Sequence, residues 1–436
     1  MIIPLDAIKV LATLHDCNFQ AYLVGGCVRD LLLGLTPKDY DVCTNATPLE
    51  MLEVFRDFSV YKTGLKHGTL TVKSGELYIE VTTYRKDGDY LDNRHPSNVV
   101  FVSELQEDLA RRDFTINAMA CDSTGTIYDF FAGKAALENK QIDCVGEADA
   151  RLAEDSLRIL RGLRFASVLD FSITEQTVTS MNKNKHLLKN ISAERIHVEL
   201  DKLLVGKAAG KILREHFAIF NEVIPEFNVE DPSSLSKTAL WEKTIRIVEN
   251  TPPIPVLRWT ALLMNYCLPE NIENDELRPP KRNLITAENI LGRLKFDNKT
   301  KANILLLIKY QDSPLELHNR VIKRFLNKIG EEALRNLILL KKAVLEVDYE
   351  NSKEAVSQLE VLVAKLDNII ETKACYSLKQ LAVKGDDLLR FGIENGKVIN
   401  RYLNLLLEAV MDNQCPNNKA DLFKYLETIV DQFPND

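Results

Sequence analysis

The pattern of apolar and polar residues changes about one third of the way along the chain. Before residue 145, short runs rich in β-branched residues predict strands over 68–72, 77–83 and 99–103. The polar segment 73–76 predicts a hairpin turn between the first two strands. Beyond residue 146, apolar residues recur at three and four positions, as over 152–168, which is the helical period.

This change predicts an α+β protein, with a mixed-sheet head followed by an all-helical neck, body and tail. Segments rich in proline or polar residues punctuate the helical part at 231–237, 251–255 and 270–281. The four predicted domains are the head over 1–145, the neck over 146–230, the body over 231–350 and the tail over 351–436.

Composition narrows the class of protein. The 436 residues are 45% hydrophobic and 27% charged, as in ordinary globular proteins. No apolar run approaches the roughly 20 residues of a membrane helix, and the N-terminal residues lack the features of an export signal. The eight cysteines are scattered without the spacing of a zinc site, so we predict reduced thiols in a cytoplasmic protein.

The distribution of charge qualifies the net charge of −8, which alone argues against a nucleic-acid partner. Between Arg278 and Lys328 there are twelve Lys and Arg residues against four Asp and Glu residues. Such a stretch can neutralise phosphates and is a candidate nucleic-acid contact. A solvated helical surface would have the same composition, and both interpretations stay open.

The most informative motif combines two glycines with two aspartates. Gly25 and Gly26 follow an apolar run and predict a turn whose backbone amides can approach a phosphate closely. A strand over 38–43 would point the carboxylates of Asp39 and Asp41 to the same face. Paired carboxylates beside a phosphate-binding turn suit magnesium-assisted phosphoryl chemistry, so we predict a nucleotidyltransferase site.

Glu80 is a candidate third carboxylate of this site. It lies in the apolar run 77–85, which predicts a strand buried on at least one face. A carboxylate in such a strand is costly unless it is paired or binds a metal. The alternative is a glutamate on an edge strand that faces water.

The segment 111–120 predicts a helix that opens with charged residues. The guanidinium of Arg112 suits triphosphate oxygens, and Asp113 can accept a hydrogen bond from a ribose hydroxyl. Asn117 follows Asp113 by four residues, hence on the same helical face. A charged start of an otherwise apolar helix is the alternative.

Asp155 and Arg158 form a candidate pair for reading a base. They are three positions apart, so on a helix they would lie side by side. A carboxylate accepts from an exocyclic amino group and a guanidinium donates to a ring acceptor, a combination that cytosine and adenine both match. Uracil and guanine would place a carbonyl against the carboxylate. A surface salt bridge is the alternative.

Taken together and in order, these motifs resemble those of the class II tRNA nucleotidyltransferases, the CCA-adding enzymes of the polymerase-β-like superfamily. The first two motifs match Gly25, Gly26, Arg29, Asp30, Asp39 and Asp41, and then Arg111, Arg112, Asp113, Phe114, Thr115 and Asn117. The remaining three resemble Asp129, Gly133, Gly146 and Arg151, then Glu154, Asp155 and Arg158, then Ser192, Glu194, Arg195 and Ile196.

The resemblance implies template-independent addition or repair of the 3′-terminal CCA of tRNA from CTP and ATP, by two-metal nucleotidyl transfer. It implies catalytic roles for Asp39 and Asp41, which would bind Mg²⁺, and Glu80 is predicted as a third catalytic carboxylate from its place in the strand. It assigns nucleotide binding to Gly25, Gly26, Arg29, Arg112, Asp113, Asn117, Asp155, Arg158, Arg161 and Arg164. The helical half is expected to contact the acceptor–T arm of tRNA, and neither a membrane nor DNA is expected as a partner.

Three alternatives accompany this interpretation: a CC-adding-only enzyme, a poly(A) polymerase and, more distantly, a catalytically inactive RNA-binding module. The run 64–72 lacks the Gly-Arg-Arg-Phe and His-Val signature of bacterial poly(A) polymerases. Residues 87–99 resemble the flexible loop with which full CCA-adding enzymes switch from C to A.

Two positions depart from relatives. Asn265 and Tyr266 stand where some relatives have the His-Asp pair of a phosphohydrolase domain, so no hydrolase activity is expected. Asp143 stands in the third motif where a basic residue is more usual.

Overall fold

The computed structural model describes residues 2–88, 99–227, 235–265, 279–347, 352–393 and 396–430. The chain forms two compact units, one of residues 1–228 with 293–295 and the other of residues 229–292 with 296–436. Strands in the described residues belong to the first unit, and the second is helical. The predicted α+β class is therefore confirmed, while the finer division into four domains stays a prediction.

The strands occupy short segments of the first unit. Their bounds are β1 Ala21–Val24, β2 Tyr40–Thr44, β3 Ser59–Tyr61, β4 Thr69–Ser74, β5 Leu77–Thr83, β6 Arg85–Asp87, β7 Val99–Phe101, β8 Met119–Cys121, β9 Ile127–Asp129, β10 Gln141–Ile142 and β11 Ser172–Ile173. The strands predicted over 68–72, 77–83 and 99–103 correspond to β4, β5 and β7, and the strand predicted over 38–43 overlaps β2.

The helices of the first unit are α1 Leu5–Asp16, α2 Gly26–Leu32, α3 Pro48–Val54, α4 Leu105–Ala110, α5 Gly133–Glu138, α6 Ala148–Glu154, α7 Leu157–Leu169, α8 Glu175–Asn184, α9 Ala193–Leu204, α10 Ala209–Glu215 and α11 Phe217–Val223. Helix α3 begins with a capping box in which Thr47 and Glu50 satisfy each other's backbone N–H groups.

The helices of the second unit are α12 Leu235–Asn250, α13 Pro255–Leu263, α14 Pro279–Arg293, α15 Asn298–Tyr310, α16 Asn319–Ile329, α17 Glu331–Val347, α18 Ser352–Glu371, α19 Gly385–Arg390, α20 Gly396–Met411 and α21 Lys419–Val430. One apolar cluster joins α16, α17 and α18, and a second joins α19, α20 and α21. No helix in the described ranges combines the length and apolar character needed to cross a membrane.

A seven-stranded mixed sheet in the order β3-β4-β5-β2-β1-β8-β9 organises the described part of the first unit. Strand β2 runs parallel to β5, whereas the other pairs in this sheet are antiparallel. Alternate residues of β4 and β5, such as Leu70 and Ile79, are fully buried, and helix α1 packs against both strands. The intervening residues form the opposite, largely exposed face of these strands.

The helical run predicted over 152–168 is interrupted. Helix α6 ends at Glu154, Asp155 has an extended backbone (φ −132°, ψ 99°), and α7 begins at Leu157. The Asp155 carboxylate accepts a hydrogen bond from the backbone N–H of Leu157 and pairs with Arg195 of α9. These tertiary and capping contacts favour a break that the apolar period does not reveal.

Candidate active site

A cleft of about 570 Å³ in the first unit brings most of the predicted site residues together. Both aspartates and all ten predicted nucleotide-binding residues line it: Gly25, Gly26, Arg29, Asp39, Asp41, Arg112, Asp113, Asn117, Asp155, Arg158, Arg161 and Arg164. Residues separated by more than 130 positions thus share one solvent-accessible space. Their individual roles stay predictions.

The two aspartates lie in different environments. Strand β2 begins at Tyr40, so Asp39 precedes the strand and is exposed, whereas Asp41 lies within it and is partly buried. The predicted strand over 38–43 is therefore wrong at its start, and strand alternation does not explain why both residues face the cleft. The loop before β2 delivers Asp39 instead.

The pKa of Asp41 is raised to about 6, chiefly because burial disfavours the charged carboxylate. The guanidinium of Arg112 opposes this shift, and the carboxylates of Glu80 and Asp39 add to it. The negative charges of Asp39, Asp41 and Glu80 are thus only partly compensated by the guanidinium of Arg112. A cation would relieve that imbalance.

Glu80 is the direct neighbour of Asp41 across the parallel β2–β5 pair, because the two residues are in register. Its side chain is exposed, so the expectation of a costly buried carboxylate is wrong, and its central strand also rules out the edge-strand alternative. The reason is that Glu80 alternates with the buried Ile79 and Val81, so its side chain points to the opposite, exposed face of β5. Glu80 acts on Asp41 through charge and is not among the residues that line the cleft.

The aspartates suit a divalent cation whose coordination is completed by a substrate. Among the residues that the structure describes, no three Asp, Glu, His or Cys side chains are grouped so that they could hold a metal ion. Of the four aspartates that line the cleft, Asp113 and Asp155 are paired with arginines, and Asp39 and Asp41 supply two further carboxylates. Mg²⁺ is commonly bound by one or two carboxylates together with water and substrate phosphates, so the raised pKa of Asp41 and this donor set fit Mg²⁺.

Gly25 joins β1 to α2 in a backbone conformation that favours glycine, with φ of 77°. A Cβ atom at this position would lie 2.8 Å from Nη1 of Arg112 and 4.0 Å from Oδ2 of Asp41. A side chain at position 25 would therefore displace the guanidinium of Arg112, which lies near the carboxylate of Asp41.

The predicted helix over 111–120 is wrong. Helix α4 ends at Ala110, and a 3₁₀ turn over Thr115–Asn117 leads into strand β8. Phe114 is extended and forms a β-bridge with Cys144, so pairing with a distant segment replaces local helical hydrogen bonds. The contact expected from helical spacing nevertheless exists, because Asn117 Nδ2 donates to Asp113 Oδ1 at 3.2 Å.

The carboxylate of Asp113 connects several groups that line the cleft. Its Oδ1 also accepts from the backbone N–H of Phe114 at 2.8 Å, and its Oδ2 accepts from Nε and Nη2 of Arg161 at 2.8 and 2.5 Å. Burial alone would raise the pKa of Asp113, but Arg161 and the hydrogen bonds lower it to about 2. Asn117 in turn accepts from Nη1 of Arg29 at 2.8 Å.

Asp155 and Arg158 line the same cleft but are not paired as a helical spacing predicts. Asp155 pairs with Arg195 at 3.0 Å, and Arg158 pairs with Glu154 at 2.6 Å. Arg158 is 7% exposed and also donates to the backbone carbonyls of Arg151 at 2.9 Å and Arg111 at 3.2 Å. The break at Asp155 separates the two side chains, and the flanking ion pairs fix each orientation independently.

Two residues that the sequence motifs do not assign to the site support it, one in the cleft and one behind it. Phe165 lines the cleft, with the guanidinium of Arg164 4.1 Å from its ring centroid and that of Arg29 at 5.2 Å, both within cation–π range. Asp108 is fully buried behind the cleft and forms ion pairs with Arg111 at 2.9 Å and Arg112 at 3.5 Å, two arginines that do line it. An acidic residue three and four positions before an arginine pair is the signal for Asp108, once α4 is known to be helical.

The third motif has a structural role in this chain. Asp129 accepts from the backbone N–H groups of Gly133 and Lys134 at 2.8 and 2.9 Å, which holds the start of α5. Asp143 accepts from the hydroxyls of Thr174 and Thr177 at 2.7 and 3.0 Å. The unusual acidic residue is thus compensated by hydroxyl donors on the segment that begins α8.

Comparison with known proteins agrees with this geometry. Three family models match: "Poly A polymerase head domain" over 21–143, "Probable RNA and SrmB-binding site of polymerase A" over 170–230, and tRNA nucleotidyltransferase domain 2 over 282–426. The solved Bacillus stearothermophilus CCA-adding enzyme in complex with CTP has a TM-score of 0.74 and 27% identity, covering 98% of each chain.

Two relatives extend over nearly the whole chain. The CCA-adding enzyme of Listeria monocytogenes serotype 4b is 34% identical over 423 residues, which cover 97% of this chain and 98% of that protein. The CCA-adding enzyme of Oceanobacillus iheyensis is 38% identical over 424 residues, which cover 95% of each. With this full-length similarity and a cleft that unites the family's motifs, the chain belongs to the family of CCA-adding enzymes.

Proposed function

We propose that this protein adds and repairs the 3′-terminal CCA of tRNA from CTP and ATP, without a nucleic-acid template. The observation that carries this proposal is a single cleft lined by both the aspartate pair and the residues Asp155 and Arg158. Carboxylates for phosphoryl chemistry and polar groups suited to a base edge thus lie within reach of one nucleotide. The relatives that share the whole chain are named for the same activity.

The reaction forms a bond between the 3′-oxygen of tRNA and the α-phosphorus of the nucleotide, while the bond to the leaving pyrophosphate breaks. Asp39 and Asp41 would hold Mg²⁺, as a pair of ions in the two-metal scheme. Bound Mg²⁺ supplies Lewis-acid stabilisation of the attacking and leaving oxygens. Asp41 is predisposed to this role because a nearby cation relieves the repulsion from Glu80 and Asp39.

The arginine side chains of the cleft position the triphosphate. Arg29 is held by Asn117 and by Asp30, and Arg112 is held by Asp108. Guanidinium groups match phosphate oxygens in a bidentate geometry. Because partners within the protein already fix these side chains, little conformational entropy is lost when the nucleotide binds.

Asp155 and Arg158 would read the incoming base. Each side chain is held by its own ion pair, so the distance between carboxylate and guanidinium is set by the fold rather than by their mutual contact. A fixed acceptor and a fixed donor select an amino group beside a ring nitrogen, as in cytosine and adenine. This supplies base choice from protein groups alone.

The helical second unit would contact tRNA by shape and backbone charge, as suits double-stranded RNA. Of the basic stretch between Arg278 and Lys328, helix α16 exposes Arg320, Arg324 and Lys328 at four-residue spacing. Arg324 is paired with Asp412, and Lys323 of the same helix is buried, so only part of the stretch presents free charge. The stretch stays a proposed tRNA contact.

We place the protein in the cytoplasm, in keeping with free thiols at all seven described cysteines. The predicted switching loop at 87–99 lies almost wholly outside the described residues, as does Tyr266 of the predicted non-hydrolase motif. Full CCA addition, rather than CC addition alone, therefore rests on the relatives.

A tRNA transcript that lacks its last three nucleotides tests the function directly. It is incubated with Mg²⁺ and CTP, ATP or both, and the products are resolved to single-nucleotide length. We expect two additions with CTP alone and a third when ATP is also present. A stop after two additions with both nucleotides identifies a CC-adding enzyme, and a long A tail identifies a poly(A) polymerase.

Replacement of residues 87–99 by a short Gly-Ser linker tests the loop in the same assay. We expect C addition to continue and terminal A addition to fall. An equal loss of both steps would mean that the loop is needed for the fold rather than for the switch.

A further inference from the structure

The exposed face of β3, β4 and β5 has an aromatic pair that the catalytic cleft does not use. Tyr61 is 47% exposed and Tyr78 is 54% exposed, and their ring centroids are 5.9 Å apart at an interplanar angle of 49°. The ammonium of Lys73 lies 5.6 Å from the centroid of Tyr78. We call these three residues the tyrosine face. Two exposed rings in contact form a contiguous apolar patch, and such patches are candidate interaction sites.

This face continues into the catalytic site through the sheet register. Asp41 is in register with Glu80, Glu80 with Thr71, and Thr71 with Tyr61. All four residues therefore point to the same face of the sheet. Adjacent strands lie about 4.8 Å apart, so Tyr61 is roughly 14 Å from Asp41, and Tyr78 is nearer. Successive nucleotides of a stacked strand advance about 3.4 Å, so this distance corresponds to about two to four nucleotides.

We propose that the tyrosine face binds the unpaired 3′ segment of the RNA primer, two to four nucleotides behind the 3′-hydroxyl. This proposal rests on the proposed function, since it assumes that an RNA 3′ end reaches Asp41. Exposed aromatic rings on a sheet face are a common platform for bases of single-stranded RNA, because every base has a stacking surface. Such binding tolerates changes of sequence, as a primer whose last nucleotides change during synthesis requires.

Base stacking on the two rings contributes more to the binding free energy of this proposed contact than charge does. Within the described strands β3, β4 and β5, Lys73 is the one basic residue, and Glu80 lies between it and the aspartates. The phosphates of the primer therefore gain one ammonium contact on this face. The two rings provide the larger part of the binding free energy.

The test uses a fluorescently labelled tRNA transcript that ends in CC, with binding measured by anisotropy without nucleotide and turnover measured separately with ATP. The variant Tyr61→Ala/Tyr78→Ala removes both rings, and Tyr61→Phe/Tyr78→Phe retains stacking. Leu49→Ala is the matched control, because Leu49 is 77% exposed on helix α3. We expect the alanine pair to weaken tRNA binding about tenfold with kcat unchanged. The phenylalanine pair and the control should match the unaltered protein.

A second transcript, with abasic nucleotides at the second and third positions from the 3′ end, which are both unpaired, assigns the contact to the bases. The unaltered protein should bind it about tenfold more weakly, and the alanine pair should lose no more. Lys73→Ala should reduce the salt slope of binding by about 0.7. Unchanged tRNA binding by the alanine pair, or an equal loss with both transcripts, would overturn the proposal.

The proposed function and the tyrosine face can fail separately. If the unaltered protein adds no nucleotide to the transcript but its binding depends on Tyr61 and Tyr78 as described, the activity is wrong and the RNA platform stands. If addition proceeds and the alanine pair binds normally, the activity stands and the platform is wrong. Thermal unfolding of each variant shows whether the fold is intact.

Discussion

Two carboxylates in the same cleft, Asp41 and Asp113, have pKa values shifted in opposite directions. Asp41, on the sheet, has its pKa raised to about 6, because burial and neighbouring carboxylates outweigh Arg112. Asp113 has its pKa lowered to about 2, because Arg161 and several hydrogen-bond donors outweigh a deeper burial. The carboxylates around Asp41 are therefore only partly neutralised by Arg112, whereas Asp113 is already neutralised by Arg161.

This contrast separates binding of a cation from binding of a nucleotide. The sheet end concentrates negative charge from Asp39, Asp41 and Glu80, which an added cation would stabilise. At the helical end, Arg158, Arg161 and Arg195 are each held by a carboxylate of the protein. Such pre-organised guanidinium groups can contact a nucleotide without first being ordered.

The largest expected effect is on turnover at the sheet end. Asp41→Asn removes a charge that would bind Mg²⁺ while preserving shape, so we expect nucleotide addition to fall by about a thousandfold or more. Binding of tRNA should change little. Single-turnover rates with a transcript that lacks CCA measure the effect, and Glu80→Gln is the control, with an expected loss of a few-fold. Equal losses for the two variants would contradict the assignment of Asp41 as the metal ligand.

The next effect concerns base choice at the helical end. Arg158→Ala removes the donor that would face a ring acceptor, so we expect discrimination against UTP and GTP to fall about ten- to a hundredfold. Competition assays with CTP against UTP measure the ratio of kcat/KM values. Arg158→Lys keeps the charge but not the planar fork, and it should restore less than half of the lost discrimination free energy. Unchanged selectivity in the alanine variant would exclude Arg158 as a base reader.

A third effect concerns stability and its dependence on pH. The folded pKa of Asp113 is below the usual value of 3.8, so its ionised form stabilises the fold above about pH 4, and this stabilisation is lost as pH falls through 2. A shift of nearly two pKa units corresponds to about 2 kcal/mol. Asp113→Asn should therefore lower the free energy of unfolding by about this amount at pH 7. Urea unfolding of both proteins at pH 7 and pH 3 should show the difference narrowing at the lower pH.

The sequence predicts which residues line the cleft better than it predicts their local geometry. Twelve of the thirteen predicted site residues line one cleft. The motifs are distant along the chain, and the fold common to the family places their side chains together. The helices predicted at 111–120 and across Asp155 are wrong, because a β-bridge at Phe114 and an ion pair with Arg195 determine those segments. Such contacts join residues 30 and 40 positions apart, beyond the reach of a local period.

Glu80 and Asp108 show the same limit for burial. Apolar neighbours along the strand suggested that Glu80 is buried, but coverage of a sheet face depends on which helices pack there. Asp108 lies in a charged segment and is fully buried, because two arginines accompany it inside. The sequence pattern shows how often buried residues recur along a strand or helix. Which face is buried, and which charged residues pair inside, depends on tertiary packing.

The smallest expected effect is also the sharpest test of the contrast between the two carboxylates. Because the folded pKa of Asp41 is raised from 3.8 to about 6, its ionisation destabilises the metal-free fold, and this penalty grows from about pH 4 and is complete above pH 6. Asp41→Asn should therefore raise the free energy of unfolding by about 1 to 2 kcal/mol at pH 7 in EDTA, opposite in sign to Asp113→Asn. Added Mg²⁺ should stabilise the unaltered protein and leave Asp41→Asn nearly unchanged. If both asparagine variants lose stability in EDTA, Asp41 is held by partners of the protein, and the sheet end of the cleft does not have the unmet negative charge that a metal site requires.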